Sequence, residues 1–207
     1  MCTFKITNNP NPLIIDDYLK LGGPDLSNTI EVNGMYITHH LLSITGEFTP
    51  QPVEYDGKYF LLMGEIYNYD DSWPSDIYFG IEKYLEHGDG FVDYLDGEFL
   101  FIIIDGDNID FFTDSWSTRQ CYFTVEDDYW YFTTLRISKE SKRFLHNSHY
   151  RFNTKSRKII QVNSELVSWN LDQNIDTLDE VVDAFKEAVI KRWTPNCTLF
   201  LSGGVDS

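Results

Sequence analysis

The sequence predicts an α+β domain in which two antiparallel sheets stack face to face and helices cover the outside. Three observations predict it. Alternating runs meet at Asn33-Gly34 and again at Asp56-Gly57, pairs suited to two-residue hairpins because both turn positions need positive φ. The run Phe99-Leu100-Phe101-Ile102-Ile103-Ile104 is apolar at every residue, the pattern of a strand buried on both faces. Helical patterning is confined to two segments, near residues 75–87 and 177–193.

Taken in order, Ile30-Glu31-Val32 and Met35-Tyr36-Ile37 form the first expected hairpin, and Val53-Glu54-Tyr55 with Lys58 to Leu62 the second. The expected helix from Ser75 to His87 has a Ser-Asp start, apolar Ile77, Ile81, Tyr84 and Leu85 on one side, and Gly88 as its stop. Further hairpins are expected around Gly106-Asp107-Asn108, around Asp127-Asp128, and from His149 to Val162 through Lys155-Ser156. Residues 163–176 read as a polar linker. Thr177-Leu178-Asp179-Glu180 has the spacing of a capping box, opening a helix with apolar Leu178, Val181, Val182, Phe185 and Val189 that ends near Trp193. A short strand, Cys197 to Leu201, then runs into Ser202-Gly203-Gly204-Val205-Asp206-Ser207. The boundaries expected are therefore 1–162, a linker at 163–176, and 177–207.

With 42% hydrophobic and 16% aromatic residues among 207, the chain can bury a sizeable core. Thirty-three acidic against 16 basic residues give a net charge of −17. Such a surface repels phosphate backbones and anionic lipid, so neither nucleic acid nor a membrane is expected as a partner. The start Met1-Cys2-Thr3-Phe4-Lys5 is not a secretory signal and no apolar run is long enough to span a bilayer, which predicts a cytoplasmic protein. Cys2, Cys121 and Cys197 are widely spaced, suggesting neither a disulfide framework nor a zinc site. Cys121 and Cys197 read as core residues, and His39 and His40 as a packed or solvated pair at a strand end. Asp105, Asp107 and Asp110 flank a turn without the spacing of a calcium loop, and no metal ligand set is expected.

Two features carry chemistry. Trimming of Met1 would leave Cys2 with a free α-amine, whose reference pKa near 7.7–8.0 lets it take the thiol proton, so the nucleophile would carry its own base. Taken alone, Cys2 reads more simply as an incidental residue at a start site. The hexapeptide Ser202 to Ser207 follows an apolar strand, and its small residues let backbone N–H groups close around a pyrophosphate.

Met1-Cys2, Gly23-Pro24-Asp25, Leu42-Ser43-Ile44, Gly64-Glu65-Ile66-Tyr67-Asn68-Tyr69 and Ser75-Asp76, in that order and spacing, resemble class II glutamine amidotransferase domains. Within that group they are most similar to the N-terminal half of the asparagine synthetase family. The Ser202-Gly203-Gly204-Val205-Asp206-Ser207 end resembles the ATP-pyrophosphatase loop that opens the synthetase half of the same family. The resemblance implies a four-layer α-β-β-α sandwich of the N-terminal-nucleophile hydrolase type over 1–162, and the start of an ATP-binding domain over 177–207. It implies that Cys2 attacks the side-chain amide of glutamine, that Gly64 donates its N–H to the oxyanion, and that Glu65 and Asp76 hold the substrate's α-amino group. Leu42, Ser43 and Ile44 would line the glutamine site. Leu201, Ser202, Gly203, Gly204, Asp206 and Ser207 would belong to the ATP site. The glutaminase step needs no cofactor on this reading. ATP and Mg serve the synthetase step, through a separate synthetase polypeptide if the natural chain is this short.

The chain also departs from the family pattern. Met63 stands where an Asn supplies a second oxyanion donor, Leu41 where an Arg pairs with the substrate carboxylate, Gly22 where an Arg precedes Gly-Pro-Asp, and Thr3 where Gly is common. Losing one oxyanion donor costs on the order of 10²–10³ in rate. Two readings follow: a slow glutaminase serving asparagine-type amide formation, or a degenerate scaffold supporting a synthetase domain or partner. Relatives that became scaffolds have typically lost the cysteine, and this chain keeps it.

Overall fold

A computed structural model describes residues 2–164, 172, 177–194 and 197–198. The chain divides into two units, residues 1–168 and residues 169–207. The first unit contains two six-stranded sheets. One holds β1 (Thr3–Thr7), β2 (Leu26–Val32), β3 (Met35–Leu41), β8 (Tyr122–Glu126), β9 (Tyr129–Thr133) and β10 (Lys142–Arg143), in the order β10-β8-β9-β1-β3-β2. The other holds β4 (Val53–Tyr55), β5 (Lys58–Ile66), β6 (Gly97–Asp105), β7 (Asn108–Thr113), β11 (Ser148–Asn153) and β12 (Lys158–Ser164), in the order β12-β11-β7-β6-β5-β4. Neighbouring strands run antiparallel throughout.

All five expected hairpins form. Asn33 and Gly34 turn β2 into β3 with φ of 51° and 74°, and Asp56 and Gly57 turn β4 into β5 with 49° and 73°. The β6–β7, β8–β9 and β11–β12 hairpins follow the remaining turn sequences. β6 lies between β5 and β7, and its alternate residues serve two cores, as its unbroken apolar run requires. Leu100, Ile102 and Ile104 join Phe4, Ile6, Ile37, Phe111 and Phe132 between the sheets. Phe99, Phe101 and Ile103 join Phe60, Leu62 and Phe112 beneath α2 (Asp76–His87) and the 3-10 segment Gly88–Tyr94.

On the far side of the first sheet lies α1 (Asp16–Gly22), a two-turn helix whose buried residue is Leu19. Its Asp16 carboxylate pairs with Lys5 Nζ at 2.6 Å, which lets a lysine of the central strand β1 stay buried. The layers are thus α1, first sheet, second sheet and α2: the α+β sandwich of four layers that the resemblance implies.

Several local expectations need correction. Ser75 precedes α2, but its hydroxyl accepts a bond from Thr49 Oγ1 at 2.9 Å and caps no backbone N–H. Leu85 lies half exposed on α2, outside its buried stripe of Ile77, Phe79, Gly80 and Ile81. In the second unit α3 (Asp179–Arg192) begins after Leu178, and Thr177 makes no capping bond, so the capping box does not form. Cys197 is exposed rather than core. Most of the expected strand from Cys197 to Leu201, and the whole of Ser202 to Ser207, lie outside the described residues. Among the described residues no helix is long and apolar enough to cross a membrane.

Candidate active site

β1, β3 and β5 bring their ends together where the chain leaves β3, and the cleft there is lined by Cys2, Leu41 to Thr45, Glu47, Thr49, Gln51, Leu62, Gly64, Glu65, Ser75 and Asp76. Residues scattered over 75 positions of sequence therefore meet at one place. The thiol is 8% exposed, and the Leu42 N–H donates to its Sγ at 3.3 Å. Burial pushes the Cys2 thiol above its ordinary value, and the Leu42 hydrogen bond draws it partly back. A buried neutral thiol needs a base before it can attack.

Gly64 stands on β5 at φ 121°, a conformation open to glycine, and a Cβ there would meet the Glu98 carbonyl oxygen at 1.8 Å. It faces Phe99 of β6. Phe99 sends both its backbone groups the other way: its N–H to Asp114 Oδ2 at 3.0 Å, its C=O accepting from Asp114 N at 3.1 Å. The Gly64–Phe99 pair is accordingly a non-hydrogen-bonded one, and the polar groups of Gly64 point away from β6, toward the cleft edge. On that same edge the Leu62 N–H is taken by Gln51 Oε1 at 2.7 Å and the Ile66 N–H by Asp76 Oδ2 at 3.1 Å. The Gly64 N–H lies between them.

Glu65 and Asp76 close the other end. Burial raises the Glu65 carboxyl above its usual range, opposed by the bond it accepts from Thr45 Oγ1 at 2.5 Å. Burial, with the neighbouring Glu65 charge second, pushes Asp76 up to about 7. Because the Glu65 charge is among the causes that raise Asp76, ionising both works against like charge as well as against burial. An ammonium group placed between them would return both to the ionised form.

The loop from Leu42 to Gln51 forms one wall, and besides the Leu42–Cys2 contact and a bond from Asn28 Nδ2 to Gln51 O at 2.9 Å it is tied at five further points. Ser43 N donates to Asp25 Oδ2 at 2.8 Å, Thr45 to Glu65, Glu47 N to Pro74 O at 2.7 Å, Thr49 to Ser75, and Gln51 accepts from Leu62. Asp25, Thr45, Thr49 and Gln51 were not marked by sequence reasoning as functional. Asp25 alone had a usable signal, the Gly23-Pro24-Asp25 motif. Gly23 sits so close to β3 that a Cβ would fall 2.0 Å from the His40 carbonyl oxygen, and this approach sets Asp25 beneath the loop. The cleft encloses only about 30 Å³, room for one or two water molecules.

Of the expected site residues, Cys2, Leu41, Leu42, Ser43, Ile44, Gly64, Glu65 and Asp76 come together here. Met63 does not line the cleft: it is fully buried in the cluster between the sheets, where its thioether donates no hydrogen bond. Leu41 lines the cleft and joins that same cluster. Leu201 to Ser207 lie outside the described residues. A larger cavity of about 240 Å³, beside Asp89, Thr113, Ser148 and His149, has no cysteine. There His149 Nε2 and Arg151 Nε both bind Asp110 Oδ1, at 2.6 and 2.7 Å, while the Ser148 hydroxyl donates to His146 O.

No family model matches the chain. Over 91% of its length it is 28% identical to a nodule asparagine synthetase (glutamine-hydrolysing) of Pisum sativum, of which it covers 36%. It is 27% identical, again over 91% of its length, to a glutamine-hydrolysing asparagine synthetase of Sandersonia aurantiaca, of which it covers 40%. The chain thus spans well under half the length of the curated relatives it matches. In structure it is similar to the glutamine phosphoribosylpyrophosphate amidotransferase from B. subtilis, solved with ADP and GMP, with a TM-score of 0.51 at 12% identity. That likeness covers 79% of this chain and 44% of the other, and it is a likeness of fold. The resemblance carried by the motifs is matched in sequence by the two synthetases and in fold by the amidotransferase.

Proposed function

We propose, from this similarity to glutamine-hydrolysing asparagine synthetases and from the residues gathered around Cys2, that the chain is the glutaminase half of an asparagine-synthetase-like amidotransferase. The observation that carries the reading is the sharing of one cleft by Cys2, Gly64, Glu65 and Asp76. Glutamine would lie with its α-ammonium between the two carboxylates and its amide carbon at the thiol. With Met1 removed, the α-amine of Cys2 takes the thiol proton and the sulfur attacks the amide carbon. The oxygen that becomes negative is met by the Gly64 N–H on the cleft edge of β5. The C–N bond breaks, the amine passes its proton to the leaving nitrogen, and ammonia departs. Water then cleaves the C–S bond of the γ-glutamyl thioester. The balance is amide plus water to carboxylate plus ammonium, the protonated form of the released ammonia, with the thiol restored.

On this reading residues 1–162 are the glutaminase domain, 163–176 a linker, and 177–207 the opening of a synthetase domain that takes up the ammonia for asparagine-type amide formation. ATP and magnesium belong to that second half, completed by the rest of the domain or by a separate synthetase polypeptide in the cytoplasm. One observation favours a second reading, the degenerate scaffold. Met63 and Leu41 have merged with the apolar core, which removes one oxyanion donor and the expected carboxylate anchor. Incubation with glutamine decides between the two. Glutamate and ammonia released by the native chain and abolished in Cys2→Ala support the glutaminase. Equal, background release from both, with free glutamine and with glutamine-bearing peptides alike, supports the scaffold.

A further inference from the structure

The charge of the cleft is one-sided. Glu47, Glu65 and Asp76 line it, and among the described residues no lysine, arginine or histidine does. Two cations reach Glu65 from outside that lining: the Arg119 guanidinium, paired with Glu98 at 3.4 Å, and the N-terminal amine, which the proposed mechanism uses as the base of Cys2. Where an anchoring cation is expected, Leu41 presents a hydrocarbon side chain that is 6% exposed and packed in the core.

Consider what free glutamine would meet there. Its carboxylate carbon is fixed about 2.5 Å from the ammonium nitrogen by covalent geometry. An ammonium held between Glu65 and Asp76 therefore brings a carboxylate into a half-buried site beside like charges, with no lysine, arginine or histidine of the lining to receive it. Burying a charge without a partner is costly, and like charges add to that cost. A glutamine whose α-carboxyl is already in an amide linkage keeps the ammonium and the side-chain amide and brings no such charge. The rim suits what would follow. Ile44, which lines the cleft, is 59% exposed and offers an apolar side chain to a residue after the glutamine.

We infer that the preferred substrate of this site is a glutamine with a free α-ammonium and an amide-linked α-carboxyl, the N-terminal glutamine of a peptide. The inference rests on the reading of Cys2 as a glutaminase nucleophile. The three carboxylates then act as a specificity filter: they attract the amino terminus and reject the zwitterion.

The test compares three probes on the intact, Met1-free chain: free glutamine, the dipeptide Gln-Leu, and N-acetyl-Gln-Leu. Conversion of glutamine to glutamate is read by mass, which separates it from spontaneous cyclisation, and Cys2→Ala gives the background. Gln-Leu is expected to be deamidated with kcat/KM above that of free glutamine by on the order of tenfold or more, with N-acetyl-Gln-Leu inert. Free glutamine turned over as well as Gln-Leu, in a Cys2-dependent way, overturns this inference and leaves the glutaminase reading intact. Equal turnover of N-acetyl-Gln-Leu and Gln-Leu overturns the role of the carboxylates. No Cys2-dependent deamidation of any probe overturns the glutaminase reading, and this inference with it.

Discussion

Replacing Asp76 with Asn should make the folded chain more stable at alkaline pH while crippling the site. Asp76 titrates near 7 in the folded chain against 3.8 for the free side chain. The folded state thus holds a proton that the unfolded state releases as pH rises through about 4. Stability from this group is complete below that point, declines as pH rises, and is lost by the time pH passes through about 7. A rise of about three units corresponds to at most about 4 kcal/mol between the two limits, at about 1.4 kcal/mol per unit. Asn carries no charge to desolvate, but it loses a carboxylate acceptor for the Ile66 N–H, which takes back about 1–2 kcal/mol. The net expectation is a gain of about 1–3 kcal/mol at pH 8 that vanishes or reverses below pH 5. Urea unfolding of both proteins from pH 4.5 to 8.5 measures it. Turnover of an ammonium-bearing amide, measured in parallel, should show KM raised about ten- to a hundredfold, as loss of a hydrogen bond to a charged group implies. An Asn variant no more stable at pH 8, with the wild-type pH slope retained, refutes the assignment of a desolvated carboxylate held beside Glu65.

Other expectations follow from the same geometry. Burial pushes His39 down to about 3, so its contribution to stability is full above pH 6.5 and lost as pH falls toward 3; His39→Leu should flatten that acid limb, read as the urea midpoint at pH 4 against pH 7. Gly64→Ala sets a Cβ against the Glu98 carbonyl at a positive φ, and should cost about 3 kcal/mol or more by the same measurement or yield insoluble protein. Asp25→Ala frees Ser43 N–H from its carboxylate partner, costing about 1–2 kcal/mol. Because Asp25 acts through the loop rather than on the reacting atoms, KM should rise with kcat nearly unchanged, and Asp25→Asn should partly restore it.

The two sheets were legible because turn chemistry and side-chain period are local signals. Asn33-Gly34 and Asp56-Gly57 announce their hairpins, and the unbroken apolar run of β6 announces burial on both faces. β1 was not legible. Thr3, Lys5 and Thr7 alternate with Phe4 and Ile6 as on a half-solvated strand, yet all five are buried. What hides the polar face is α1, which places Asp16 against Lys5. That helix gave little signal itself, since Tyr18 and Leu21 are 63% and 76% exposed and Leu19 alone is buried. In the site, the motifs pointed to the residues that touch the cleft. The ties behind them, such as Thr49 to Ser75 and Gln51 to Leu62, join positions 11 to 26 residues apart. Such bonds have no periodicity, so nothing in one sequence marks them.

The residues that frame the cleft and those that would act in it are held by different forces, and this explains how the site survives the departures at Met63 and Leu41. The frame rests on close backbone approaches and on hydrogen bonds made to backbone groups. Gly23 lies against the His40 carbonyl and Gly64 against that of Glu98, while loop amides are held by Asp25 and Pro74. None of these contacts involves the side chain of Met63 or Leu41, which have become apolar filling between the sheets. A polar anchor can therefore be exchanged for a hydrophobic one at little cost in stability, even with gain, and the geometry of Cys2, Gly64, Glu65 and Asp76 stays in place. The surviving carboxylates are the opposite case: burial holds both above their usual range, so keeping them charged works against folding. On the proposed reading, their presence beside a cysteine fits a cleft that receives an amine.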